Sequence, residues 1–224
     1  TTTIYEKGAE IIRMLRYLVK EKNFYKGFSN YISTYDGKAA TIDQFVEKII
    51  ENNKEIDPEK FKVWYKQNGT PIIKFQRSWD KTNKKLLIQA SQSNPIKKNP
   101  YNNLPLIIPI NLAIFCGKNK TIKKTVVLKE QKQEFIFNDL QSDLKIPLVT
   151  YFREFSSPVN WESDTSLDEK FLTLEYETDY FTLYNTVKTF YKNIIECRVN
   201  EIPDYKIEDK LIKYTITTNT GDNT

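Results

Sequence analysis

Histidine is missing altogether from these 224 residues, and that one absence removes a great deal of chemistry. Without imidazole the chain supplies neither the usual ligands of a catalytic zinc nor a Ser-His or Cys-His base pair. Cysteine is nearly missing as well. Cys116 and Cys197 are the only two, and they fall in different kinds of element, so no disulfide framework is expected and a reducing, cytoplasmic setting is the default. No apolar run approaches the ~18 to 20 residues of a membrane span, and the longest, Leu104 to Phe115, is interrupted by Pro105, Pro109 and Asn111. No membrane partner is expected. Thr1-Thr2-Thr3 is neither a signal peptide nor a start residue, and the chain reads as an excised piece.

What is present is globular in composition: 28% charged and 39% hydrophobic residues in 26.5 kDa, enough for one large domain or two to three small ones. The net charge is +5, but it comes almost wholly from lysine. The arginines are Arg13, Arg16, Arg77, Arg153 and Arg198, and Lys84-Lys85, Lys97-Lys98 and Lys123-Lys124 are scattered among acids. Base readout favours arginine forks and phosphate binding favours a clustered basic face, so no nucleic-acid partner is expected.

Hydrophobic periodicity divides the chain in three. Ile11, Ile12, Leu15, Leu18 and Val19 form one helical stripe, leaving Glu10, Arg13, Lys20 and Glu21 wet. Phe24, Phe28, Tyr31, Ile32 and Tyr35 form a second helix, which ends at Asp36-Gly37. Thr41 with Gln44 spells a capping box for a third helix, and Asp57-Pro58 caps a fourth that carries Phe61, Trp64 and Tyr65 as core. Asn68-Gly69-Thr70-Pro71 then switches the period to two. Strands are expected over Pro71 to Phe75, Lys85 to Ser91, Leu104 to Phe115, Thr121 to Leu128, Gln133 to Phe137 and Leu148 to Phe155, with turn compositions between them. Their regular spacing argues an antiparallel sandwich of immunoglobulin-like size that closes at Pro158. Leu167 onward returns to helical spacing in two helices that part near Thr178-Asp179. Pro203 to Lys213 offers at most one more short helix, before a polar tail from Thr215 to Thr224.

The opening string, Thr3-Ile4-Tyr5-Glu6-Lys7-Gly8-Ala9-Glu10, carries the candidate chemistry. Thr3 with Glu6 fits a capping box, so a helix is expected to start near Tyr5 with its phenol at the positive end. Gly8 costs roughly 1 kcal/mol against alanine inside a helix, and close packing is its ordinary explanation. A half-buried aromatic with its hydroxyl in water is the ordinary reading of Tyr5.

The whole string, however, resembles the segment downstream of the zinc-binding helix in the aminopeptidase N (alanyl aminopeptidase) family of zinc metallopeptidases. Three further landmarks follow in order. Asp36-Gly37-Lys38-Ala39-Ala40-Thr41 resembles that family's Asp-Gly-x-Ala-Ala-Thr, and Trp64-Tyr65-Lys66-Gln67-Asn68-Gly69-Thr70-Pro71 resembles its Trp-Tyr-x-Gln-Ser-Gly-Thr-Pro, with Asn68 in place of serine. Phe155-Ser156-Ser157-Pro158-Val159 resembles its Phe-Ser-Ala-Pro-Val. The resemblance implies a multidomain α and β chain. Residues 1–68 would be the helical end of a thermolysin-like catalytic domain, 69–160 an immunoglobulin-like antiparallel β-sandwich, and 161–224 the start of an α-helical C-terminal domain with a polar tail.

It also implies peptide substrates with a free N-terminus, catalytic zinc, and the remainder of an aminopeptidase chain as partner. Tyr5 would be the catalytic residue that hydrogen-bonds the oxyanion of the tetrahedral intermediate. The family's His-Glu-x-x-His and Gly-Ala-Met-Glu-Asn motifs do not occur here, so no metal ligand is assigned and the chain alone is expected to be inactive. Glu6 and Glu10 are explained by capping and by the solvent face. The alternative is a non-catalytic β-sandwich that binds a partner, or a relic of an aminopeptidase gene.

Overall fold

The computed structural model describes the backbone of residues 3–201 and 205–220, and the side chains of 5–201 and 207–214. It divides into two compact units, Thr1–Asp164 and Thr165–Thr224.

The first unit begins with a π-helical turn, Thr3–Lys7, that runs directly into α1, Gly8–Val19. The turn starts two residues before the expected helix start, and the side chain of Thr3, with its proposed cap, lies outside the described residues. α1 buries Ile11, Met14, Leu15 and Val19, so Met14 joins the expected stripe while Ile12 and Leu18 are half-buried. Lys20, at φ 67°, breaks the chain into α2, Glu21–Tyr35. α3, Ile42–Ile50, opens with the Thr41/Gln44 capping box, and α4, Pro58–Lys66, opens with the Asp57 carboxylate accepting from two backbone N–H groups, so both starts are the ones read from the sequence.

The α2–α3 contact depends on a residue with no periodic signature. A Cβ on Gly27 would stand 2.6 Å from Lys48 O and 2.7 Å from Ile49 Cα, which is backbone and not a movable side chain. Gly27→Ala should therefore destabilise the chain by about 1 to 3 kcal/mol despite alanine's better helix propensity. Urea unfolding would check this, and an unchanged or higher midpoint would refute the close approach.

Seven strands follow in two sheets. One has the order β5-β2-β1-β7, from β1 (Ile72–Asp80), β2 (Lys85–Ser93), β5 (Lys132–Phe137) and β7 (Asn160–Ser163). The other has the order β4-β3-β6, from β3 (Ile108–Gly117), β4 (Lys120–Leu128) and β6 (Leu148–Thr150). All ten residues of β3 are buried, which is why its sequence is apolar at positions of both faces, with Asn111 the exception, rather than alternating. α1 lies against β3, and Tyr17 Oη meets Thr125 Oγ1 of β4 at 3.0 Å. Helices and sheets share one core that includes Met14, Ile49, Trp64, Ile73, Ile88 and Ile110.

Several details depart from the sequence reading: β1 continues past Phe75 to Asp80, and β3 starts at Ile108 and not at Leu104. The sixth strand stops at Thr150, not Phe155, because Phe152, Glu154 and Phe155 take left-handed backbone, with φ of 55°, 58° and 52°. Pro158 does not close the sheet, since β7 lies beyond it. Nor is the sandwich wholly antiparallel, because β7 runs parallel to β1 from Ile72↔Asn160 to Phe75↔Ser163. The short β7 segment, Asn160 to Ser163, holds one aromatic among polar residues and gives no strand pattern.

The second unit holds α5 (Leu167–Tyr176), α6 (Tyr180–Val199) and α7 (Tyr205–Thr220). Ser166 with Glu169 makes a capping box, Asp179 caps α6, and Leu174, Phe190, Ile207 and Leu211 form the core. α7 is longer than the short helix expected, since it runs through the stretch read as the start of a polar tail. Among the described residues no helix is long and apolar enough to cross a membrane.

Candidate functional site

The four landmarks are far apart in sequence, and the fold ties three of them to one helix. Tyr5 sits in the π-helical turn ahead of α1 with 71% of its surface exposed. It is more exposed than the half-buried aromatic that residue type alone suggests. A phenol there is both donor and acceptor to whatever approaches. Gly8, at the start of α1, has nothing within 4 Å of an added Cβ, so close packing within the described residues does not account for it. Glu6 is exposed, and Glu10 pairs with Arg13 at 2.7 Å.

Lys7 links the turn to the third landmark, Trp64 to Pro71. Its Nζ donates to Gly69 O at 2.7 Å, across 62 residues of sequence, and burial pushes its pKa below the ordinary lysine value. Gly69 is at φ 79°, a backbone conformation that favours glycine, and a Cβ there would press on Ile96 Cδ1 at 2.9 Å. Its neighbour Asn68 is held through its backbone N–H, its backbone carbonyl and its side-chain oxygen. Asn68 N–H donates to Asn102 Oδ1 at 3.2 Å, Asn94 Nδ2 donates to Asn68 O at 2.9 Å, and Asn102 Nδ2 donates to Asn68 Oδ1 at 2.8 Å. The last bond gives the departure from serine a physical reason, since a carboxamide both reaches Asn102 and accepts from it. Trp64 of the same landmark is buried, and its Nε1–H donates to Ile107 O at 2.9 Å. Burial pushes the Tyr65 phenol up to about 12.

Arg13 links α1 to the last landmark. It donates to Glu154 O at 3.2 Å and to Phe155 O, and its guanidinium stands 5.4 Å from the centre of the Phe155 ring. The left-handed residues it grips are bulky, a conformation that costs on the order of 1 to 3 kcal/mol each and persists only where surroundings impose it. Those surroundings include Tyr151 stacked on Phe75 at 3.9 Å and Phe152 against Trp161 at 5.2 Å. Ser156 and Ser157 both donate to Pro109 O, at 3.2 and 2.6 Å, and Ser156 Oγ accepts from Asn111 N–H. Helical periodicity puts Arg13 on the wet face and assigns Lys7 no role, whereas the fold gives both long-range bonds. The available signal was that both lie in or beside the Tyr-Glu-Lys-Gly-Ala-Glu string.

No three His, Cys, Asp or Glu side chains stand together to hold a metal ion among the described residues, and the sequence holds no histidine. A catalytic zinc does not fit the residues present.

Comparison with known proteins agrees with this arrangement. Residues 1–66 match the peptidase family M1 domain, and residues 69–164 match a domain of unknown function (DUF3458) with an Ig-like fold. The chain is 31% identical over 211 residues to aminopeptidase N of Caulobacter vibrioides, covering 94% of this chain and 24% of that protein. It is 28% identical over 208 residues to aminopeptidase N of Escherichia coli, covering 89% of this chain and 23% of that protein. A solved structure of Legionella pneumophila aminopeptidase A in complex with aspartic acid shares the fold, with a TM-score of 0.76, 21% identity, and coverage of 89% of this chain and 22% of that one. The chain thus spans about a quarter of the length of the relatives it matches. Two adjoining domain matches in the expected order, together with identity that extends across most of the chain, place it in the aminopeptidase N family of M1 peptidases.

Proposed function

We propose that this chain is the part of a zinc-dependent aminopeptidase that presents the oxyanion donor, in an enzyme that removes N-terminal amino acids from peptides. The observation that carries the reading is Tyr5. It is an exposed phenol at the head of a helix whose first turns are tied by Lys7 and Arg13 to two other family landmarks. In the reaction, the carbonyl oxygen of the first peptide bond gains charge as the carbon becomes tetrahedral. The Tyr5 O–H then donates a hydrogen bond to it and exchanges no proton. A donor aimed at that oxygen acts mostly in the transition state, which is what raises turnover rather than binding. Zinc would supply the activated water. Its ligands and the general base would lie upstream of the residues described above, since none of these fits that role.

The reading is tested first by the reading frame that precedes Thr1. An in-frame His-Glu-x-x-His supports it, and a start codon directly before Thr1 overturns it in favour of a non-catalytic module. The 224-residue chain by itself should retain no stoichiometric zinc after exhaustive dialysis and should hydrolyse no aminoacyl anilide. One zinc per chain, or turnover that survives purification to homogeneity, would show that the chemistry does not need the missing motifs.

A further inference from the structure

Lys7 puts an ammonium to an uncommon use. It is half-buried, its Nζ donates to a neutral carbonyl, Gly69 O, at 2.7 Å, and among the described residues no carboxylate pairs with it. Taking a charge partly out of water for one bond to an uncharged acceptor contributes little to folding, so stability does not account for a lysine here.

Position does account for it. The acceptor is a fixed point. Gly69 is crowded by Ile96 and Asn94, and the preceding Asn68 is locked by Asn94 and Asn102. The donor closes the π-helical turn Thr3–Lys7, a wide turn that is rare and frequently found at functional sites. Tyr5 lies two residues before it, largely in solvent, where its own packing does little to set its direction.

We propose that Lys7 is a positioning residue: its hydrogen bond to Gly69 O fixes the π-helical turn and so the direction in which Tyr5 presents its hydroxyl. The inference rests on the oxyanion reading of Tyr5 given above. Misplacing a donor by about 1 Å can cost as much as a hundred-fold, so losing this tether should be felt in turnover.

The test uses a full-length enzyme that carries this segment, with Lys7→Met, Lys7→Arg, Tyr5→Phe and the Lys7→Met/Tyr5→Phe pair. Lys7→Met keeps the aliphatic stem and removes the donor. It should lower kcat by about ten- to a hundred-fold with KM nearly unchanged. Lys7→Arg, which keeps a donor, should recover most of that loss. Lys7→Met should add nothing further in the Tyr5→Phe background, because a tether that works through the phenol is silent once the hydroxyl is gone. In the 224-residue chain, amide exchange at Tyr5 to Glu10 should quicken about ten-fold in Lys7→Met and return in Lys7→Arg.

If Tyr5→Phe is impaired but Lys7→Met turns over like wild type, the positioning role is wrong and the oxyanion reading stands. If Tyr5→Phe is unimpaired, the oxyanion reading fails and this inference fails with it. Additive losses in the double variant, or a Lys7→Met that only melts earlier with unchanged kcat, would show Lys7 to be structural and overturn the proposal.

Discussion

In a full-length enzyme carrying this segment, Tyr5→Phe should lower kcat by about a hundred- to a thousand-fold, equivalent to roughly 2.7 to 4 kcal/mol of transition-state stabilisation. KM should stay close to wild type, because the lost bond matters when the carbonyl oxygen is charged and hardly at all when it is neutral. The exposure of Tyr5 makes this a clean experiment. With 71% of its surface in water, its hydroxyl is not a core group, so Tyr5→Phe should change the unfolding free energy of the 224-residue chain by no more than about 0.5 kcal/mol. Steady-state kinetics beside a urea titration separate the cases. Wild-type kcat, or a loss matched by a fall in stability, would remove Tyr5 from the chemistry.

The largest effect on folding should come from Trp64. It is among the largest fully buried side chains, 2% exposed, and its Nε1–H serves Ile107 O, one residue before β3. Trp64→Ala leaves a cavity in the core that α4 and the sheets share and an orphaned carbonyl beside it. It should cost about 3 to 5 kcal/mol. In a chain of this size that corresponds to a fall of roughly 6 to 20 °C in melting temperature. Because α1 to α4 and the sandwich form one compact unit, their far-ultraviolet signals should be lost in a single transition in a chain that ends at Asp164. A loss below about 1 kcal/mol, or helices that melt while the sheet persists, would show that Trp64 does not join the two.

Where one rule governs a short stretch, the sequence was a sufficient guide. Thr41 with Gln44 and Asp57 with Pro58 fixed two helix starts through bonds that close within three residues, and the apolar-rich run from Leu104 to Phe115 marked a strand, which the fold places over Ile108–Gly117. The helix α7 outran a polar local sequence, but the misses that shape the first unit are long-range. Gly27 is needed because α3 passes over it, and the sixth strand ends early because Arg13 and the aromatic cluster hold Phe152 to Phe155 in a conformation no local preference favours. Tyr5 stands out only as part of the Tyr-Glu-Lys-Gly-Ala-Glu string, whereas Lys7 acquires meaning only once Gly69 is brought beside it.

The parallel strand β7 has a consequence for how this protein can be divided. β1 lies between β2 and β7, and the Arg77 guanidinium, buried at the rim of the sheet, donates to Asp164 Oδ1 at 2.8 Å and to Pro147 O at 3.1 Å. A polypeptide cut after the Phe155-Ser156-Ser157-Pro158 landmark would lose Asn160 to Ser163 and Asp164 together. The backbone groups of Ile72 to Phe75 that β7 satisfies would then form an open sheet edge, and the buried Arg77 guanidinium would lose its bond to Asp164 Oδ1. Such a piece should aggregate more readily than the same sandwich extended by the few residues to Asp164, a difference that light scattering of the two would check.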